Sequence, residues 1–251
     1  MRFIYCANGV IGATILHWLV QTGDRPAGIV IHPPERARLR DEMIETAGLD
    51  HANILDGSII NTEEGLAWLG DRQPDLLLSV NFGYLFGAAV LSVPSKGAIN
   101  LHTSLLPFNR GAYPNVWTIV DGTPAGVTLH RIDERIDNGE IIAQCEIPSR
   151  AVDTGATLYA RLEQAAIELF KAAWPSIRAG SFEPRPQVAG GSFHTASELR
   201  TVERIDPNQQ LRAGQLIDIL RACTFPPHKG AYLDLGNRRI YLRLELSEEL
   251  V

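Results

Sequence analysis

Asn100 and His102 lie two positions apart at the end of an apolar run. On an extended segment, residues i and i+2 share a face, so an amide and an imidazole would stand side by side. That pairing suits carbonyl chemistry. The amide can steady a developing oxyanion, and the imidazole can take a proton from an attacking nucleophile. Asp137 opens the acidic stretch Asp137-Asn138-Gly139-Glu140 after the next apolar run, where it can orient the imidazole or relay a proton. Spacing alone leaves open a purely structural histidine at a strand end. Ser104 is near His102 but lacks a G-x-S-x-G elbow, and it reads as a turn former. His130 and His102 have no third residue at ligand spacing, so no metal is expected.

The elements that must carry these residues follow from periodicity. Residues 2–6 read as a first strand, 11–22 as a helix with apolar residues at 11, 15, 16 and 19, and 27–32 as a second strand. This is a βαβ start. Gly9 and Gly12 make only part of a dinucleotide fingerprint, so they read as a tight strand-to-helix turn rather than a nicotinamide site. A helix is expected near 37–47, a short strand at 53–55, and a helix capped by Thr62. Strands follow at 76–80, 98–102, 125–131 and 141–147, with a turn at 81–86 and a helix at 114–120. The runs before Asn100 and around 127–129 are expected to be buried parallel strands, with their polar ends at the carboxyl edge of the sheet. Residues 155–178 form a long amphipathic helix. A linker-like segment rich in glycine and proline comes next. Beyond it the sequence gives a short helix at 213–223 and a hairpin of strands 231–235 and 239–246 around Gly236-Asn237. The expected division is 1–178 as the main α/β domain and 179–251 as a small C-terminal helix and β-hairpin region.

Composition sets the outer bounds. The 251 residues are 45% hydrophobic and 21% charged, enough for a full core and unlike a disordered chain. The net charge of −6 argues against nucleic acid or an anionic membrane as the main partner. Three widely separated cysteines without CxxC or Cys/His spacing read as buried free thiols of a reducing cytoplasm. The uncharged run 3–20 is broken by Asn8-Gly9, so it reads as strand, turn and helix rather than as a leader or membrane span.

Read together, the motifs resemble those of the folate-dependent formyltransferases, and most closely those of nucleotide-sugar N-formyltransferases. The matching residues are Asn100-Leu101-His102, Ser104-Leu105-Leu106-Pro107, Arg110-Gly111, Pro114, and Gly126-Val127-Thr128 followed by Asp137-x-Gly139-x-Ile141. The resemblance implies a Rossmann-like, mostly parallel α/β sheet with a small C-terminal α+β appendage. It implies N10-formyltetrahydrofolate as co-substrate and Asn100, His102 and Asp137 as the catalytic set. It also implies co-substrate contacts from Tyr84, Leu85 and Phe86 and from Arg135 and Ile136. Leu105 and Leu106 are candidates for an apolar wall, with core packing as the alternative for each.

The acceptor amine is read from the stretch Asn109 to Trp117, which looks like the Asn-Arg-Gly-Ala-x-Pro-Asn-x-Trp version of sugar N-formyltransferases. That similarity implies an amino-dideoxy sugar linked to dTDP or GDP and destined for a surface polysaccharide. Candidate substrate contacts are Ser104, Arg110, Tyr113, Trp117 and Lys229, with Arg221 and Arg238-Arg239 as further cations for a pyrophosphate. The alternatives are an enzyme like methionyl-tRNA formyltransferase and a non-catalytic folate- or nucleotide-binding module. An isolated hairpin needs a partner surface, so a homodimer through the C-terminal region is expected.

Overall fold

The computed structural model describes residues 1–249. β1 (Phe3–Ala7) runs into α1 (Gly9–Gln21), and β2 (Gly28–Ile31) follows. Next come α2 (Arg40–Ala47), β3 (Ile54–Asp56), α3 (Glu63–Arg72), β4 (Leu76–Val80), α4 (Ala88–Leu91) and β5 (Ala98–His102). Then β6 (Arg110–Gly111), α5 (Pro114–Val120), β7 (Ala125–Arg131), β8 (Ile141–Ile147) and α6 (Gly155–Ala179) are laid down. The chain ends with β9 (Phe193–His194), α7 (Ala196–Glu203), α8 (Ala213–Ala222), β10 (Ala231–Leu235) and β11 (Arg238–Leu242). Seven strands form one sheet in the order β3-β2-β1-β4-β5-β7-β8. The strands β1 to β5 are parallel where they pair, and β1 and β4 diverge in opposite directions from the sheet centre. The expected mixed α/β class is present, and the strand from Phe3 and the helix from Gly9 account for the early uncharged run.

One expectation needs correction. β7 is not parallel to its neighbour: it pairs antiparallel with β5, with Ile99 opposite Arg131, Asn100 opposite His130, Leu101 opposite Leu129 and His102 opposite Thr128. Buried strands look alike in sequence whichever way they run, since both faces are covered. Two smaller corrections concern surfaces. Cys145 is exposed, while Cys6 and Cys223 are buried; burial pushes the Cys223 thiol up to about 12. α7 lies in a stretch that no helix was assigned to, yet Thr195 and Glu198 form a capping box at its start.

The chain divides into two compact units built from alternating segments. The first holds Met1–His102, Thr128–Gln144 and Ala166–Gln187, and the second holds Thr103–Val127, Cys145–Ala165 and Val188–Val251. In the first unit β1, β2 and β4 are buried along their whole length. α6 presents Ala166, Ile167, Phe170, Trp174 and Ile177 at helical spacing, all buried. Phe3 meets the Trp174 ring edge-on at 5.3 Å, and Phe170 stacks on it at 5.5 Å. The indole N–H donates to Asp24 Oδ2 at 2.8 Å, so this large ring is buried with its polar atom satisfied. Among the described residues no helix is long and apolar enough to cross a membrane.

Replacing this ring should leave a cavity and take one donor from Asp24, which keeps Arg178. Trp174→Ala is expected to destabilise the fold by about 3–5 kcal/mol, read as a fall in the urea midpoint. Trp174→Phe should recover most of it.

Candidate functional site

The antiparallel register builds the site. Residues directly opposite on paired strands share a face, so Asn100, His102, His130 and Thr128 stand as a two-by-two array on one side of β5 and β7. The chain leaves β7 through Ile132, whose N–H donates to Ala98 O at 2.9 Å, and returns at Glu140, whose carbonyl accepts from Arg131 N–H at 2.8 Å. This tight return fits only glycine at 139: a Cβ there would lie 1.9 Å from Arg131 O. Asp137 sits in the loop at φ +49°, a left-handed conformation that a short polar side chain tolerates.

The Asp137 carboxylate then meets three groups. Asn100 Nδ2 donates to its Oδ1 at 3.3 Å. His130 Nε2 lies 3.4 Å from the same oxygen, and His102 Nε2 lies 3.6 Å from Oδ2. The side chains of His102 and Asp137 are 11% and 12% exposed, and that of His130 is 2% exposed. A carboxylate so nearly buried needs donors, and the Asn100 amide is one and the His102 ring can be another. The His102 and His130 separations are looser than hydrogen bonds, a spacing that catalytic groups commonly show before substrate binds.

His130 has a defined role in this array. Its Nδ1 lies 2.7 Å from Arg131 O, and because a carbonyl only accepts, Nδ1 carries a proton. Its Nε2 then receives the Asn100 amide at 3.2 Å. The end of the Asn100 side chain that faces both this nitrogen and the Asp137 oxygen must be the NH₂ group, since only it can donate to both. Sequence reasoning singled out His130 only as a half-formed metal pair. The missing signal was strand direction, which alone tells that His130 lies across from Asn100. No group of three or more His, Cys, Asp or Glu side chains among the described residues is placed to hold a metal ion.

The other expected site residues fall into two groups. In the first unit, Tyr84 and Phe86 turn into an aromatic cluster: Phe82 lies 5.5 Å from Tyr84 and 5.6 Å from Phe86, and the His32 ring is 4.9 Å from Tyr84. Arg36 donates to the Tyr84 hydroxyl at 3.3 Å. Asn61 clamps the loop by donating to Leu85 O and accepting from Gly87 N–H, which leaves the Leu85 side chain 66% exposed. Ile136, beside Asp137, is also exposed, and the Arg135 guanidinium lies within 2.7 Å of the Asn138 amide oxygen in its satisfied orientation.

In the second unit, Ser104 and Leu106 are buried and Leu105 is half-buried against Gly126. Arg110 lies on β6, opposite Phe193 of β9. Trp117 is buried, with the His194 ring stacked on it at 3.9 Å, whereas Tyr113 is exposed. Asn109, read in sequence only as the start of the motif, is fully buried: it donates to Thr118 and Thr123 hydroxyls and accepts from Ser192, and so fixes the backbone next to Arg110. Lys229 lies over the Tyr241 ring at 4.9 Å. Arg221 is occupied by Asp218 and the Asp153 carbonyl, and Arg239 by Asp234. These pairings fit structural roles for Arg221 and Arg239 better than a waiting pyrophosphate site.

The profile described as formyl transferase matches residues 32–173, and one described as N-formyltransferase dimerization C-terminal domain matches 198–248. A dTDP-4-amino-4,6-dideoxyglucose formyltransferase of Mycobacterium tuberculosis is 32% identical over 176 residues, covering 70% of this chain and 74% of that protein. A methionyl-tRNA formyltransferase of Halorhodospira halophila is 31% identical over 241 residues, covering 94% and 76%. Among solved structures, a 4-N formyltransferase from Francisella tularensis superposes with a TM-score of 0.83 at 25% identity, covering 99% of each chain. A formyltransferase from Anoxybacillus kamchatkensis, solved with UDP-4,6-dideoxy-4-formamido-L-AltNAc and tetrahydrofolate, gives 0.59 at 28% identity, covering 80% and 89%.

The aromatic cluster beneath Tyr84 carries a pH dependence. Gly83 N–H donates to His32 Nε2 at 3.1 Å, which requires that nitrogen to be unprotonated. Burial first, and then the nearby Arg36 charge, lower the His32 pKa from its ordinary 6.5. Below that value the unfolded chain takes up a proton that the folded chain refuses, so stability falls as the pH drops from 6.5 towards the lowered value. His32→Gln keeps an acceptor for Gly83 and should flatten this acid limb of the unfolding free energy, measured by urea titration at stepped pH.

Proposed function

The chain belongs to the formyl transferase family, and from that premise we propose that it moves a formyl group from N10-formyltetrahydrofolate to the amine of a nucleotide-linked amino-dideoxy sugar. The observation that carries this reading is the convergence of Asn100, His102 and Asp137 on one face of β5. The dTDP-amino-sugar relative and the tetrahydrofolate-bound neighbour support the two substrates. Exposed Leu85 and Ile136 offer apolar surface for the pteridine, with Tyr84, Phe86 and Arg135 shaping their loops. Half-buried Leu105 and buried Leu106 are the candidates for the pteridine wall; for the acceptor they are Arg110, Tyr113 and Lys229, with Ser104 and Trp117 buried.

The sugar amine attacks as the neutral base. Its nitrogen bonds to the formyl carbon while the carbonyl pair moves to oxygen. Asn100 turns to that oxygen the amide N–H that it otherwise gives Asp137, and His102 lends an imidazole N–H. The amine proton passes by way of Asp137 to N10, the bond from the formyl carbon to N10 breaks, and a formamide and tetrahydrofolate leave. His102 can do this only if its ring is held, and Asp137 is the group beside it.

The methionyl-tRNA relative favours a second acceptor, because it covers more of this chain than the sugar enzyme does. The net charge of −6 speaks against a tRNA partner. The match at 198–248, together with exposed Leu235, Ile240 and Tyr241 on the hairpin, supports a homodimer through the C-terminal region. A cytoplasmic location, where folate and activated sugars meet and buried thiols stay reduced, completes the reading.

Purified protein should formylate dTDP- or GDP-linked amino sugars with N10-formyltetrahydrofolate and leave charged initiator tRNA untouched. Transfer to tRNA alone would reassign the acceptor, and folate binding without turnover would leave a binding module. Asn100→Ala should raise the barrier by about 2.7–4 kcal/mol, seen in kcat with the folate KM little changed. Sedimentation should show a dimer that Leu235→Glu with Ile240→Glu converts to a monomer.

A further inference from the structure

We propose that Gln187 is a positioning residue for the transfer, holding the Asp137 loop so that its carboxylate stays beside His102; this rests on the formyl-transfer reading above. The segment after α6, which reads as a linker in sequence, is a strap across the first unit. Arg185 pairs through both backbone groups with Ile141 of β8, at 2.8 and 2.9 Å. Phe182 lies under the Arg131 guanidinium at 5.4 Å. Gln187 then reaches the loop: its Nε2 donates to Asp137 O and to Gly139 O, each at 2.9 Å.

That bond pair has a specific mechanical effect. The two carbonyls flank Asn138, so a single amide group spans the turn on which Asp137 adopts its left-handed conformation. Asp137 itself lies in a turn between β7 and β8. The Asn100 amide donates to its side chain, with His102 alongside, and Gln187 bonds its backbone carbonyl. The strap has a second connection to the array. Arg185 Nη2 donates to Gln144 Oε1 at 3.4 Å, and Gln144 Nε2 donates at 3.0 Å to Thr128 Oγ1, the residue opposite His102. The strap therefore touches both the carboxylate loop and the strand position across from the imidazole.

Gln187 acts through Asp137, and displacements on the scale of 1 Å are costly for transfer reactions. Gln187→Ala, and the isosteric Gln187→Glu that loses the donor, should each lower kcat roughly 10- to 100-fold. Both KM values should move less than about two-fold, and Gln187→Lys, which keeps an N–H donor, should recover part of the rate. In an Asp137→Asn background the same alanine change should alter kcat less than about two-fold, since the group it positions is already lost. Hydrogen–deuterium exchange read by mass spectrometry supplies the arm that needs no turnover: Gln187→Ala should speed exchange in the peptide covering residues 131–141 and leave the β1 and β4 peptides unchanged. A kcat kept within two-fold, equal losses in the two backgrounds, or unaltered exchange in that peptide would each overturn the positioning role. A wild-type protein that transfers no formyl group to any acceptor would instead sink the functional reading, with the exchange result still deciding whether Gln187 holds the loop.

Discussion

The site depends on one reversal of direction in an otherwise parallel sheet. Because β7 runs against β5, His130 falls opposite Asn100 and Thr128 opposite His102. A parallel partner would present evenly spaced, slanted bonds and a different set of neighbours. The reversal also brings the chain back past Ala98 before it turns, so the loop bearing Asp137 returns over the face of β5 rather than leaving by the far edge of the sheet. A one-residue slip in this register would turn His130 to the other face and strip Asn100 of its acceptor.

Much of this was open to a reader of the sequence. The strands 76–80, 98–102, 125–131 and 141–147 and the helix at 114–120 have the expected bounds, because apolar runs between turn residues mark buried strands well and Pro114 marks a first helical turn. Asn100, His102 and Asp137 were legible because strand parity and motif order point to them. What stayed hidden depends on contacts between residues far apart in the chain. Strand direction at β7 leaves no trace in a strand buried on both faces. The place of His130 follows from that direction. Gln187 lies in a glycine- and proline-rich stretch whose composition describes a linker, and only its partners 48 and 50 positions away reveal a strap.

Asn109 shows the same limit in the second unit. It opens a stretch that attracts notice as a motif, yet its side chain is buried and fills its amide with two threonine hydroxyls and a serine. Gly111 is held to glycine by the His194 carbonyl, 2.3 Å from where a Cβ would be. A motif can thus record the packing behind a surface as much as the surface itself. Trp117, buried under His194, is a further case.

The alternation of segments has a consequence for how the protein is made. Synthesis delivers the first unit in three instalments, ending at Gln187, and two parts of the second unit emerge between them. β5 leaves the ribosome without the strand that will face it, since Thr128 is still twenty-six peptide bonds away from His102. The nascent chain must therefore carry an open sheet edge with half of its polar array in place, and neither unit can close before the other has begun.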